Sequence, residues 1–228
     1  ATTGVPYPIT VSFAGDMLFQ ASRATATLTI TKADTKIGVA NVAGKIGETK
    51  FLTATLRRKF DNAPIAGIAL SFKLDAHAEG SAVTDGTGKA SFAYFIDGTR
   101  APGLHTITAE FFNDANYNAA SANGSLVINQ APTKTSASAV SGKRGKVVVL
   151  KAKLIRNTDK MGLVGKPLHF MIDGTEVGVG ETDNTGLASL NYTIPMDATV
   201  GGHPIKVVYD GETNYIGSSD DSKTLTVK

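Results

Sequence analysis

Side chains that could carry catalysis or hold a metal ion are sparse in this sequence. It contains four histidines and no cysteine, which excludes disulfides, thiolate catalysis and cysteine-type zinc sites. His105 and His203 lie 98 residues apart in matching surroundings without further metal ligands beside them, and His169 alternates with apolar neighbours and should face solvent. There is no phosphate-binding loop and no nucleophile elbow. We therefore predict structural or solvated histidines, no cofactor and no enzymatic activity.

Acidic residues recur in register along the chain. The recurring positions are Asp75 with Asp173, Asp85 with Asp183, and Asp16 with Asp114 and Glu212. Carboxylates together with loop carbonyls would suit calcium, for which the junctions between domains are the expected place. Asp also caps turns through bonds to its own backbone, and no loop has the dense acidic spacing of an EF-hand. The pattern favours turn capping, with junctional calcium as the alternative.

Basic residues cluster in the last third of the chain. The cluster consists of Lys143, Arg144, Lys146, Lys151, Lys153 and Arg156, and its counterpart in the middle of the chain consists of Lys45, Lys50, Arg57, Arg58 and Lys59. Such a patch could bind an anionic polysaccharide or a phosphate-rich cell-wall polymer. The alternative is a solvated sheet face whose charges protect an edge against pairing. The net charge of only +3 and the 7% aromatic content argue against nucleic acid as a partner.

Internal repetition organises the sequence into three parts. The segment HTITAEFFNDANYNAAS from position 105 matches HPIKVVYDGETNYIGSS from position 203 and YPITVSFAGDMLFQAS from position 7, at a spacing of 98 residues each time. A period of this length indicates tandem copies of one domain. We predict whole repeats at residues 33–130 and 131–228, and the last two strands of a truncated repeat at residues 1–32.

Each repeat has the pattern of a β-sandwich. Apolar and polar residues alternate at period two, as in Leu52, Ala54 and Leu56, and no segment has a sustained helical stripe. Glycine-containing turns such as residues 85–88 separate about seven short strands in each repeat. These features predict an all-β protein of tandem immunoglobulin-like β-sandwiches. No apolar run is long enough to cross a membrane, so no membrane insertion is expected.

A family resemblance supports this architecture. The run TDGTGKASF, followed by GLHTITAEFFNDANYNAAS, resembles the bacterial immunoglobulin-like repeats of large secreted and cell-surface proteins. The resemblance implies an extracellular or cell-surface location and a role as spacer, stalk or adhesin module. Unlike antibody domains, the chain has neither a cysteine pair nor a core tryptophan. We expect small inward residues, Ala54 with Ala109 and Ala152 with Val207, to face each other where the antibody disulfide would lie.

Two features concern the ends of each repeat. Tyr117, Tyr215 and Phe19 share one position after the sixth strand, and we expect packing over the end of the sandwich, with ligand stacking as the alternative. The linker between the whole repeats is only residues 129–133, in which Pro132 fixes its own φ. Such a short linker predicts neighbouring domains that are partly aligned end to end.

The N-terminal hairpin poses a separate problem, because two strands cannot bury an apolar face alone. Its expected apolar residues are Ile9, Val11, Phe13, Leu28 and Ile30. Either the missing 66 residues of the repeat lie upstream in a longer chain, or the hairpin pairs with the sheet edge of another copy.

The sequence therefore predicts a non-catalytic extracellular stalk or spacer. The alternatives are an adhesin module that binds a cell-surface glycan or protein, and a subunit of an extracellular filament that assembles through residues 1–32. The expected partners are neighbouring immunoglobulin-like domains of the same or a longer chain, another copy through the hairpin, or a cell-surface glycan or protein.

Overall fold

A computed structural model describes residues 3–228. All the regular secondary structure in that range consists of β-strands. This confirms the all-β prediction. The strands are β1 (Pro6–Phe13), β2 (Ser22–Thr29), β3 (Thr35–Val39), β4 (Val42–Lys45), β5 (Thr49–Arg58), β6 (Ala69–Leu74), β7 (His77–Val83), β8 (Lys89–Phe95), β9 (Gly103–Phe111), β10 (Ala120–Asn129), β11 (Thr133–Ala137), β12 (Val140–Gly142), β13 (Val147–Arg156), β14 (Pro167–Ile172), β15 (Thr175–Glu181), β16 (Leu187–Thr193), β17 (Gly201–Glu212) and β18 (Tyr215–Val227).

The sheets reproduce one sandwich pattern twice. Strands β3-β5-β8 form a three-stranded sheet and β4-β10-β9-β6-β7 a five-stranded sheet, while β11-β13-β16 and β12-β18-β17-β14-β15 form the second such pair. Every sheet takes its strands from a single sequence repeat, and β1-β2 form a separate two-stranded sheet. This pairing of sheets is the predicted immunoglobulin-like sandwich.

The number of strands per whole repeat is eight rather than seven among the described residues. The difference arises at the first strand of each sandwich, which is interrupted between β3 and β4 and again between β11 and β12. The first half pairs in the three-stranded sheet and the second half in the five-stranded sheet. A strand that changes sheets must bend at the edge of the sandwich, and the bend divides it into two.

The described chain forms two compact units. Unit 1 comprises the residues up to Val42, Phe51–Tyr94 and His105–Ser125, and unit 2 comprises Ala43–Lys50, Phe95–Leu104 and Leu126–Lys228. Unit 2 therefore contains two short segments that precede position 126 in addition to the whole second sandwich. The repeat limits at residues 32 and 130 remain predictions about domain boundaries.

The predicted inward positions are buried. In the second sandwich, Leu150 and Leu154 of β13 and Phe170 of β14 are almost completely buried in one apolar cluster. Burial of a side chain of this size stabilises the fold by roughly 1.5–3 kcal/mol. The small residues expected to replace a disulfide, Ala54 with Ala109 and Ala152 with Val207, are likewise buried, which confirms their inward orientation.

The last strand of the second sandwich departs from the 98-residue period. Leu225 and Val227 occupy the buried positions that Leu126 and Ile128 hold earlier, but they lie 99 residues after them. The pairing of β17 with β18 shifts register between Ile205 and Val207. This bulge absorbs the additional residue and keeps the apolar side chains on the inner face. Among the described residues no helix is long and apolar enough to span a membrane.

Candidate functional site

Two histidine–aspartate pairs occur at equivalent places in the two sandwiches. Nδ1 of His105 lies 2.6 Å from Oδ2 of Asp75, and Nδ1 of His203 lies 2.6 Å from Oδ2 of Asp173. Nε2 of His203 also donates to the carbonyl of Thr199, at 2.9 Å. This carbonyl bond and then the Asp173 carboxylate raise the pKa of His203, because both favour the imidazolium. Each histidine lies near the start of β9 or β17 and fastens that strand to the aspartate that follows β6 or β14.

Two of the recurrent aspartates, Asp85 and Asp183, bind within their own turns. Oδ1 of Asp85 accepts bonds from the N–H and hydroxyl of Thr87 and from the N–H of Lys89, at 2.7–3.0 Å. Asp183 makes the same three contacts with the two matching residues 98 positions later. The threonine side-chain bond is the largest cause that lowers the pKa of both carboxyls. Within residues 3–228, no three acidic or histidine side chains converge closely enough to hold a metal ion.

The residues that begin each repeat are bound into the sandwich they precede. Ala33 forms a parallel bridge to Tyr117, donating to the carbonyl of Asn116. Ala131 forms the same bridge to Tyr215, and it is completely buried. The backbone at Tyr117 and Tyr215 therefore holds the residue that begins each whole repeat, Ala33 or Ala131. The ring of Tyr215 packs partly buried against the core cluster, with Nζ of Lys166 5.6 Å from its centroid. The packing prediction is wrong for Phe19, which is 66% exposed because the hairpin has no sandwich to cover.

Unit 2 contains a second set of contacts that the sequence did not predict. The hydroxyl of Thr158 donates to the carbonyl of Ile46 at 2.8 Å, and Nδ2 of Asn214 donates to the carbonyl of Gly98 at 3.0 Å. Gly47 has a φ of 88°, and a Cβ there would lie 2.2 Å from Oγ1 of Thr158. Only glycine fits this position. The available signal was the glycine itself, which recurs 98 residues later as Gly145.

The predicted basic cluster is divided by the structure. Lys151 and Lys153 lie on the solvent side of β13, while Lys143, Arg144 and Lys146 lie in the turn between β12 and β13. In the middle of the chain, Arg58 and Lys50 are ion-paired with neighbouring acids. Lys134 on β11 lies next to the sheet lysines and was not part of the predicted cluster. The sequence feature that could have identified Lys134 is Lys36, a lysine at the equivalent position of the preceding repeat.

The apolar residues of the N-terminal hairpin lie together on one exposed face. Ile9 and Val11 of β1 pair with alanines of β2, and Leu28 pairs with Tyr7. Phe13 lies at the end of β1, and Ile30, half-buried, follows the end of β2. Ile9 is 45% exposed and Val11 68% exposed, although the residues 98 positions later, Ile107 and Ala109, are 0% exposed.

The chain is similar, at low sequence identity, to several solved structures of repeated domains. No family model matches the chain, and no curated protein matches it. A three-immunoglobulin segment of titin is 14% identical, with a TM-score of 0.45, over 100% of this chain and 76% of its own length. A four-repeat segment from the extending region of a large adhesion protein is 16% identical, with a TM-score of 0.45, over 98% of this chain and 56% of its own.

Fibronectin(III)-like modules of CbhA from Clostridium thermocellum are 15% identical, with a TM-score of 0.32, over 84% of this chain and 94% of theirs. The solved structures to which the chain is similar are thus immunoglobulin, fibronectin(III)-like and adhesion-protein repeat domains. At such low identities and TM-scores the likeness carries no argument about fold, activity or partners, and the architecture rests on the strands and sheets described above.

Proposed function

We propose that the chain is a non-catalytic, tension-bearing spacer of tandem β-sandwiches in an extracellular or cell-surface protein. The observation that carries this proposal is the pairing of the second sandwich's β12 with its last strand, β18. The two strands run parallel, with Val140 opposite Leu225 and Gly142 opposite Val227, and the N–H of Lys228 donates to the carbonyl of Gly142 at 2.9 Å.

Parallel pairing near the two ends of one sandwich has a mechanical consequence. Tension along the chain pulls the start of β12 and the end of β18 in opposite directions along their own axes. The bonds between the strands are evenly spaced in a parallel pair, so they are loaded together rather than one after another. Such an arrangement resists extension, as a spacer under load requires.

The bound linkers support the same role. Ala131 donates to the carbonyl of Asn214 at 3.0 Å and accepts from the N–H of Ile216 at 2.9 Å. Gln130 donates through Nε2 to the carbonyls of Glu212 and Thr213, both at 3.1 Å. A linker held at this many points transmits tension directly into the sandwich rather than extending as a free coil. The extracellular location is supported by the family resemblance alone.

Single-molecule force spectroscopy on the whole chain tests this proposal. Val140→Pro in β12 should lower the unfolding force of the second sandwich. The carbonyl of Gly142 accepts from Lys228, so the N–H groups of Gly142 and of Val140, two residues earlier, face β18, and proline at 140 removes one of them from the loaded ladder. Val179→Pro in β15 is the matched control, since β15 is the opposite edge of the same sheet and carries no terminal load. Both variants should reduce chemical stability. Equal reductions in unfolding force, or none in Val140→Pro, would contradict the tension-bearing role.

We also propose that the exposed hairpin face accepts the six preceding strands of a repeat of this type. The support is its match in sequence to β9 and β10, whose inner residues are buried by such strands. A chain extended at its N-terminus with a second copy of residues 33–98 should protect the β1 amides from hydrogen exchange. Unprotected β1 amides would refute this, and a dimer of the unextended chain that Val11→Lys dissociates would favour self-association instead.

A further inference from the structure

Charge is segregated between the two sheets of each sandwich. Strands β3, β5, β8, β11, β13 and β16, which build the three-stranded sheets, contain no Asp or Glu. All the carboxylates that lie within the named strands belong to the five-stranded sheets: Glu79, Glu110, Glu176, Glu181, Asp210, Glu212, Asp220 and Asp221. Because the segregation occurs in both sandwiches, it is a property of the repeat rather than an accident of one surface.

The three-stranded sheet of unit 2 presents three exposed lysines on its solvent side. Lys153 lies opposite Ser136 of β11, and Lys151 lies opposite Ser189 of β16. Lys134 precedes Ser136 by two residues, so it is diagonal to Lys153. Neighbouring lysines on this face are about 7 Å apart at the backbone. Among the described residues, none of the three lysine side chains makes a hydrogen bond or ion pair.

One carboxylate lies near this face without neutralising it. Asp183, in the turn before β16, is close enough to Lys153 for the lysine to contribute to its lowered pKa. Its Oδ1 is already occupied by bonds from Thr185 and from the N–H of Leu187. The lysines are therefore available to an external anion.

The three-stranded sheet of unit 1 carries a like-charged pair. Lys36 of β3 lies directly opposite Arg57 of β5. Two like charges directly opposite on a sheet face destabilise the pairing of their strands. Arg57 donates to the carbonyl of Asn62 at 3.0 Å, which satisfies one N–H but supplies no negative charge. A bound anion would offset the repulsion that the fold itself leaves uncompensated.

Hydrogen-bonding side chains surround the basic residues on both faces. Ser136, Ser189, Asn191 and Thr193 point outward in unit 2, and Thr53, Thr55 and Ser91 do so in unit 1. The unit 2 face contains no aromatic residue, so it lacks the stacking platform that single-stranded nucleic acid requires. Cationic groups between hydroxyls and amides match a polymer that carries both carboxylates and many hydroxyl groups.

We propose that the solvent faces of the three-stranded sheets bind acidic polysaccharide, with Lys134, Lys151 and Lys153 as the principal contacts in unit 2. The lysines bind the uronic acid carboxylates, and the serine, threonine and asparagine side chains bind sugar hydroxyls. This activity goes beyond the spacer role and is measured by binding rather than by force.

Binding of the whole chain to polygalacturonate tests the proposal, with dextran and inorganic polyphosphate as comparison polymers. Replacing Lys134, Lys151 and Lys153 together by Gln should weaken binding roughly tenfold or more. The matched control replaces Lys143, Arg144 and Lys146 by Gln, which removes the same charge from the turn. The control should retain most of the affinity, and both variants should keep the melting temperature because all six side chains are exposed.

Several results would overturn the proposal. Equal losses in the two variants would mean that net charge, rather than the sheet face, determines binding. If polyphosphate binds as tightly as polygalacturonate, the serine, threonine and asparagine side chains do not contribute recognition of sugar hydroxyls. Absence of polygalacturonate binding at low salt, where screening is weakest, would refute it directly. Tighter binding to polygalacturonate than to dextran or polyphosphate, lost only in the sheet variant, would support it.

Discussion

The same ion pair occurs in two different environments in this chain, and this allows a matched test of what burial does to it. Arg156 binds Asp159 through two bonds, Nε to Oδ1 at 2.9 Å and Nη2 to Oδ2 at 2.5 Å. Ninety-eight residues earlier, Arg58 binds Asp61 in the same way, at 2.8 and 2.5 Å. The side chains of the later pair are 4% and 23% exposed, and those of the earlier pair are 40% and 35% exposed.

The perturbation is Asp159→Asn, with Asp61→Asn as the control. In the first variant the guanidinium of Arg156 remains buried, with Gly47 packed against it, but loses its counter-charge. Removing one partner of a buried pair costs roughly 3 kcal/mol, because the remaining charge cannot be solvated. In the second variant water replaces the lost carboxylate at Arg58, so the loss should be much smaller.

The assay must separate the two sandwiches, because a chain of several domains need not unfold in one step. Native-state hydrogen exchange does so, with β13 amides reporting on the second sandwich and β5 amides on the first. We expect faster exchange in β13 for Asp159→Asn and little change in β5 for Asp61→Asn. Similar losses in both variants would refute the reasoning that burial determines the contribution of this pair.

The lowered pKa of Asp159 adds a pH dependence with a definite sign. Hydrogen bonding to the Arg156 side chain is the main cause of the lowering. A carboxyl whose folded pKa is depressed stabilises the protein above its unfolded pKa, and the contribution is lost as the pH falls through the folded pKa. The stability difference between the parent chain and Asp159→Asn should therefore shrink below about pH 4.

Two further predictions follow from repeated positions. The carbonyl of Thr199 and the carboxylate of Asp173 raise the pKa of His203, so the stability they add is complete below about pH 6.5 and is lost as the pH rises through the folded pKa. Asp173→Asn should therefore make the melting temperature less dependent on pH between about pH 6 and 8. An unchanged pH dependence would contradict the role of Asp173 in raising this pKa. Val207→Lys should prevent stable folding of the second sandwich because it buries an unpaired charge. Val11→Lys, at the matching exposed position, should leave the melting temperature nearly unaltered. A large fall in the melting temperature of Val11→Lys would mean that the hairpin face is already covered.

The sequence determined the features that depend on local pattern and repetition. Alternation of apolar residues identified the inner positions of β5, β6 and β9, because a strand exposes alternate faces whatever sheet it joins. The Asp85 turn was also predictable, since its contacts are with residues two and four positions later. The repeat identified the hairpin as part of a sandwich and the basic residues as a candidate surface.

Tertiary structure alone decided which side chains are neighbours across strands and which charges are buried. Lys134 lies beside Lys153 because β11 pairs with β13. The predicted basic cluster is divided because its first three residues lie in the turn before β13 and Lys151 and Lys153 lie within that strand. Arg156 is buried and Arg58 is not, although their local sequences correspond, because burial depends on what the rest of the fold brings against a residue. Strand alternation fixes the face on which a residue lies, and only the assembled sheets fix what that face meets.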